Sequence, residues 1–294
     1  TRKIIADCGL DPARNIGIGI AMPGPVGIAG PTGIAPGWEN FDIVAAMSEK
    51  IDCPVFAEND ADAAAISEKL YGNARTLENF VYVFIGYGLG AGLFMDNQII
   101  HGTNGAAGEI GHLPVEPHGR DCPCGRKGCL ERYVSLLALY DEFDAADRDA
   151  LLNDTTLNRL AQLSPDDEPV KRWIKQAAPH LATAVQILGS MLDPQAVMLG
   201  GLLPASILDA LLDELGRLET AGSRTPLGNA LPVQAGVGNL LSAAMGAAAL
   251  PIYQELVPDF QNMLKIRDAK EIIEHGGWGR WVLRITCRPP PPPP

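Results

Sequence analysis

Apolar and polar positions change rhythm repeatedly along this chain, and each change predicts an element. Residues 16–22 (I-G-I-G-I-A-M) and 53–60 (C-P-V-F-A-E-N-D) are apolar runs of strand length, the second ending on polar residues. The Pro/Gly-rich stretch 23–37 between them reads as a loop. Residues 61–71, A-D-A-A-A-I-S-E-K-L-Y, have a helical pattern closed by Gly72. From 79 to 100, N-F-V-Y-V-F-I-G-Y-G-L-G-A-G-L-F-M-D-N-Q-I-I predicts two strands joined by a glycine turn, with Asp96-Asn97 making the next hairpin. Strands alternate with helices, which places the chain in the α/β class.

Residues 136 to about 184 are helical in pattern, with polar breaks near Asn153 and Ser164-Pro165. A long apolar helix around 181–192 then meets L-D-P-Q-A-V-M-L-G-G, a turn into a buried strand that ends at Gly200-Gly201. The Ala-rich run 240–250 predicts the last folded helix. At the other end, residues 1–14 read as the end of a helix stopped near Gly9 and Pro12. From about Lys265 the texture changes, and a final run of six prolines reads as an extended, solvated tail or an artefact of the reading frame.

With 294 residues the chain can bury a substantial core without disulfide staples. Three of its six cysteines crowd into one segment, and Cys8, Cys53 and Cys287 have no framework spacing, which suits a reducing cytoplasm. A net charge of -12 argues against nucleic-acid binding by these residues themselves, because counterion release needs a basic face. No run approaches the roughly 18 apolar residues of a membrane span.

The candidate chemistry centres on residues 108–131, G-E-I-G-H-L-P-V-E-P-H-G-R-D-C-P-C-G-R-K-G-C-L-E. His112, Cys122, Cys124 and Cys129 make up a one-histidine, three-cysteine set with glycines between the last two thiols. Four protein ligands leave no open position for water, so a zinc ion held there is structural. His118 is a competing ligand that its Pro-Gly-flanked loop turns towards solvent. Asn59 and Asp60 end a predicted strand, where open α/β sheets present ligand contacts, although the same pair also caps helices. Glu109 and Glu131 bracket the cysteine loop and would become preorganised acceptors for sugar hydroxyls if an ion ordered it. The turn from Gly86 to Gly92 is open enough to cradle phosphate, but no Lys or Arg lies within it.

Taken together, G-I-G-I-A-M-P-G-P-V, E-N-D-A-D-A-A-A, G-Y-G-L-G-A-G, A-G-E-I-G-H, C-P-C-G-R-K-G-C-L-E, L-D-P-Q-A-V-M-L-G-G and A-M-G-A-A-A resemble the ROK family of bacterial sugar kinases and sugar-responsive transcription regulators. The resemblance implies an actin-like (ribonuclease H-like), two-lobed α/β fold with a structural zinc loop, and commonly a homodimer or higher oligomer. By motif position it assigns zinc to His112, Cys122, Cys124 and Cys129, and sugar contacts to Asn59, Asp60, Glu109, His112 and Glu131. In kinase members the residue matching Asp60 is the catalytic base, and a turn matching Gly86, Gly88 and Gly90 holds the phosphates of ATP with its Mg2+. The family's Asp-x-Gly-Gly-Thr motif has no counterpart here, so the first strands are expected before residue 1. The expected division is therefore a truncated N-terminal lobe at 1–75, a C-terminal lobe with the zinc loop at 76–258, and an extension at 259–294 outside the core fold. Tyr87 stands where kinases carry a small Thr. The preferred expectation is a cytoplasmic, sugar-binding effector portion of a regulator, meeting DNA only through a module outside this chain. The alternative is an ATP-dependent hexose or N-acetylhexosamine kinase.

Overall fold

The computed structural model describes residues 15–24, 41–219, 231–237 and 241–256. The described residues through Pro251 belong to one compact unit, and Ile252 opens a second. Strands β1 (Ile18–Met22) and β2 (Val55–Asn59) form a parallel pair in the register Ile18↔Val55 to Met22↔Asn59. The second sheet has five strands in the order β5 (Gln98–Ile99), β4 (Leu89–Met95), β3 (Phe80–Ile85), β6 (Ala196–Gly201), β7 (Val233–Ala235). It is mixed: β3 runs parallel to β6, and β6 to β7, while β4 is antiparallel to both β3 and β5.

The helices that matter here are α1 (Ile43–Ser48), α2 (Asp60–Tyr71), α3 (Glu131–Val134), α4 (Leu136–Tyr140), α5 (Ala145–Leu152), α6 (Asn158–Gln162), α7 (Glu168–Leu192), α8 (Ala205–Glu219) and α9 (Ser242–Leu256). Strand β3 is buried at every position because helices cover both of its faces, which explains why it reads as a continuous apolar run rather than an alternating one. Val81, Val83 and Ile85 join the main core with Val197 and Leu199 of β6 and side chains of α3, α4, α7 and α8. Helix α7 contributes Val170, Trp173, Ala177, Leu181, Ala184 and Leu188, spaced three and four apart so that one stripe faces the sheet. The larger aliphatic ones, Val170, Leu181 and Leu188, each contribute roughly 1.5–3 kcal/mol when fully buried. On the other face, Phe80 stacks on Phe94 with ring centroids 4.8 Å apart, and α2 packs across β3 and β4.

Most expected elements are present. The Asp96-Asn97 hairpin has φ values of 51° and 62° at its two central residues, the primed-turn geometry that the right-handed twist of the strands favours. The breaks near Asn153 and Ser164-Pro165 are real: Asn153 caps α5, and the Ser164 N–H donates to the Asp167 carboxylate at 2.8 Å just before α7. The helix expected at 181–192 is only the second half of α7, which runs unbroken through Pro179. Pro179 is exposed, so the carbonyl that loses its helical donor can be served by solvent. Helix α8 and strand β7 were not anticipated. Residues 1–14, most of the 23–37 loop and the 265–294 tail lie outside the described residues. No described helix is long and apolar enough to cross a membrane.

Candidate functional site

Strand β4 organises the site through three small residues in a row, Gly90, Ala91 and Gly92. Gly90 and Gly92 face α2, and a Cβ on Gly92 would overlap the Cβ of Ala65 and lie 2.8 Å from the Ala61 carbonyl oxygen. Helix α2 therefore sits close on the sheet, which brings its first residues beside the β3–β4 turn. The segment 108–112 is pressed against the backbone of the same strand. A Cβ on Gly108 would overlap the Ala91 carbonyl oxygen, its φ of 83° favours glycine, and its own carbonyl accepts the Ala91 N–H at 2.8 Å. Two close approaches to one strand thus fix Asp60 and Glu109 relative to each other.

Asn59 ends β2 and caps α2. Its Oδ1 accepts the N–H groups of Ala61 at 2.8 Å and Asp62 at 3.3 Å, and its Nδ2 donates to the Gly24 carbonyl at 3.1 Å. Asp60 opens the helix and accepts the Ala61 N–H at 2.9 Å. Burial pushes the Asp60 carboxyl up to about 6, against that hydrogen bond and with added repulsion from Glu109. Burial also raises Glu109, with His112 opposing the shift and Glu131 adding to it. Glu131 starts α3 and faces the turn, because a Cβ on Gly88 would stand 3.4 Å from its Oε2.

His112, on the single turn Ile110–His112, faces two ways. Its Nδ1 lies 3.7 Å from the Cys122 Sγ and 3.8 Å from the Glu131 Oε1, while its Nε2 lies 3.9 Å from the Glu109 Oε2. The Cys124 and Cys129 sulfurs are 3.7 Å apart, and the donor atoms of His112, Cys122, Cys124 and Cys129 all fall within 4.8 Å of one another. A tetrahedral ion with bonds of about 2.3 Å to sulfur and 2.0 Å to nitrogen has ligand edges of about 3.6–3.8 Å, so these donors fit such an ion. The loop is held by backbone bridges Pro114↔Cys129 and Asp121↔Lys127, with Gly125 and Gly128 in the left-handed region at φ 85° and 67°. Burial pushes the Cys122 and Cys129 thiols up, so ion binding there must release protons. His118 is exposed and takes no part in the cluster.

The expected sugar residues therefore converge on the N-terminus of α2, the turn 110–112 and the start of α3. The glycine run divides its work. Gly86 and Gly88 form the turn, with the Gly86 N–H donating to the Gly88 carbonyl at 3.0 Å, whereas Gly90 lies within β4, where a Cβ would approach Ala61 to 3.2 Å. The Tyr87 ring leans edge-on against Tyr140 of α4, with centroids 6.3 Å apart. At the end of β6, Gly200 faces the Tyr82 ring and Gly201 faces the Ile85 backbone, so this pair serves sheet packing.

Sequence reasoning missed a second group beneath the site, made of Glu58, Asp62 and His101. Glu58 is buried on β2, and its Oε1 accepts the Asn59 N–H at 2.9 Å while its Oε2 meets the His101 Nε2 at 3.0 Å. That contact raises His101. Burial, and then repulsion from Glu58, pushes Asp62 up to about 8. The only sequence signal was the last acid of E-N-D-A-D, three positions past the Asn59 cap.

The family model described as ROK family matches residues 3–253. A xylose repressor of Bacillus subtilis is 32% identical over 63% of this chain and 47% of its own length. A solved ROK hexokinase from Thermus thermophilus is 30% identical, covers 87% of this chain and 84% of its own, and superposes with a TM-score of 0.62. A ROK family transcriptional regulator homologous to the Escherichia coli MLC protein is 26% identical over 85% of this chain and 65% of its own, with a TM-score of 0.65. The chain spans about half the length of the curated repressors it matches. With its α/β architecture and a profile match across most of its residues, the chain belongs to the ROK family.

Proposed function

We propose that this chain is the sugar-binding effector portion of a ROK-type transcription regulator, acting on DNA through a module outside these residues. The two-sided placement of His112 carries the reading: one ring nitrogen faces the thiol loop and the other faces Glu109. Asn59, Asp60, Glu109, His112 and Glu131 would bind the vicinal hydroxyls of a monosaccharide. His112, Cys122, Cys124 and Cys129 would hold zinc, which supplies fixed loop geometry rather than reactivity. Order in the loop would then set the sugar pocket. A sugar that binds one arrangement of the site better shifts the population towards it, and with it the spacing of paired DNA-reading elements in a homodimer or higher oligomer. Tyr87 supports a regulator over a kinase, since a bulky side chain stands at the turn position where kinase members carry a small Thr.

Calorimetry with xylose, glucose and N-acetylglucosamine should find one sugar whose binding is lost in Glu109→Gln. The protein as its gene encodes it should release its operator with that sugar. Operator affinity unchanged by every sugar that binds would remove the reading.

Asp60 favours a second reading, an ATP-dependent hexose or N-acetylhexosamine kinase. A buried carboxylate raised to about 6 is still ionised at neutral pH yet basic enough to take a hydroxyl proton. Gly86 and Gly88 would then face the phosphates. ADP release with the bound sugar, abolished by Asp60→Asn, would establish it.

A further inference from the structure

We propose that Glu58, Asp62 and His101 form a second, open metal site that binds a divalent cation such as Mn2+ through two carboxylates and one imidazole. Donor atoms of all three lie within 4.8 Å of one another. The His101 Nε2 to Glu58 Oε2 distance of 3.0 Å is the cis edge of an octahedral ion with bonds of about 2.1 Å. Asp62 supplies the independent observation. It is only 4% exposed, its Oδ1 has no hydrogen-bond partner, and one of its carboxylate oxygens is among the converging donor atoms. A buried carboxyl oxygen without a partner is costly, and a cation is a partner that Asp62 could share with the adjoining Glu58 and His101.

The donor set is also chemically distinct from the thiol loop. Two oxygens and an imidazole suit Mn2+, Fe2+ or Zn2+ with water completing the shell, and three protein ligands leave positions open. The His101 side chain is 47% exposed, so ions have a path from solvent, while Glu58 and Asp62 are fixed on β2 and α2. Local charge favours a cation, because Asp62 is repelled by Glu58, Asp60 and Glu109 with His101 opposing them, and Glu109 is repelled by Glu131 with His112 opposing it. Glu58 also holds the Asn59 N–H, and Asp62 follows Asp60 by two residues, so an ion here would brace the helix start that presents the proposed sugar contacts. The site does not depend on whether the protein is a regulator or a kinase.

The test is titration of the zinc-loaded protein with Mn2+, following the paramagnetic resonance of free Mn2+, with zinc content measured in parallel. One saturable Mn2+ per chain is expected. Asp62→Asn and His101→Gln should each weaken it by about 10-fold or more while leaving zinc bound by the thiol loop. His101→Gln alters an exposed side chain, so its result stands even if Asp62→Asn folds poorly. Absence of saturable binding of Mn2+, and of Co2+ or Zn2+ beyond the thiol-loop equivalent, would overturn the site. So would wild-type Mn2+ affinity in His101→Gln, which would leave only a hydrogen-bonded His101–Glu58 pair.

Discussion

The thiol loop and the Glu58–Asp62–His101 group both gather candidate metal ligands, but they are assembled on opposite principles. The loop's donors lie within residues 112–129, in a segment that brings them together by its own turns and bridges. Glu58 and His101 are separated by 43 positions and meet only because β2, α2 and the chain after β5 are folded around one another. A site of the first kind should depend on its ligands. One of the second kind should depend on the packing beneath it.

Cys129→Ser gives the largest effect and tests the first half of that contrast. Cys129 is fully buried, and its loss leaves three donors and a polar hydroxyl in a sulfur pocket. Zinc content by elemental analysis should fall from one equivalent to about a tenth or less, and sugar binding should weaken by at least about 100-fold, because ligand sets of this kind bind cooperatively with loop folding. Lost zinc with retained sugar binding would break the proposed coupling through His112.

Gly92→Ala tests the other half. The added methyl must displace α2 from β4, at a cost of roughly 2–4 kcal/mol, since the obstacles are a helix backbone and a packed methyl. Chemical denaturation should show that loss. Mn2+ binding should fall with it, while zinc stays in the loop. Equal loss of both ions would mean that the two regions fold as one unit.

These two variants also show what could be read in the chain. The cysteine loop was legible because spacing alone declares it, and β3, β4, β6 and the Asp96-Asn97 turn were legible because periodicity and turn chemistry are local. Helix α8 was missed although its apolar stripe is ordinary, and β7, only three residues long, takes its identity from pairing with β6. Gly90 and Gly92 looked like part of a phosphate cradle, yet in the fold they make room for α2, a use that depends on residues Ala61 and Ala65 of a helix earlier in the chain. Asp62 looked like one more polar residue of a helix. Its burial against Glu58 and His101 has no local signature.

Asn59→Ala should have an intermediate effect. The cap bonds to Ala61 and Asp62 disappear, along with the Nδ2 bond to Gly24, for a loss of about 1 kcal/mol in thermal or denaturant unfolding. Under the proposed function it also removes a sugar contact, so affinity should fall by more than stability does. Asn59→Ser separates the two roles: serine restores the cap but not the longer amide. Recovery of stability without recovery of sugar affinity is the expected result, and recovery of both would confine Asn59 to capping.

The smallest effect belongs to Tyr87→Thr, and it bears on how the β3–β4 turn is used. The Tyr87 ring is half-buried against the core and meets Tyr140 edge-on, so truncation should cost about 0.5–1.5 kcal/mol from the aromatic pair, plus the apolar area lost. Thermal unfolding would read that loss. Sugar affinity should barely change, because Asn59, Asp60, Glu109, His112 and Glu131 reach the site from α2, the 110–112 turn and α3 rather than from this ring. The decisive readout is nucleotide. If Tyr87 only fills space beside α4, threonine opens the turn but supplies no cation to hold phosphate, and ADP release should stay at background. Appearance of sugar-dependent ADP release in Tyr87→Thr, abolished again by Asp60→Asn, would make the ring the one feature silencing a kinase, and would transfer the function of the whole site to the second reading.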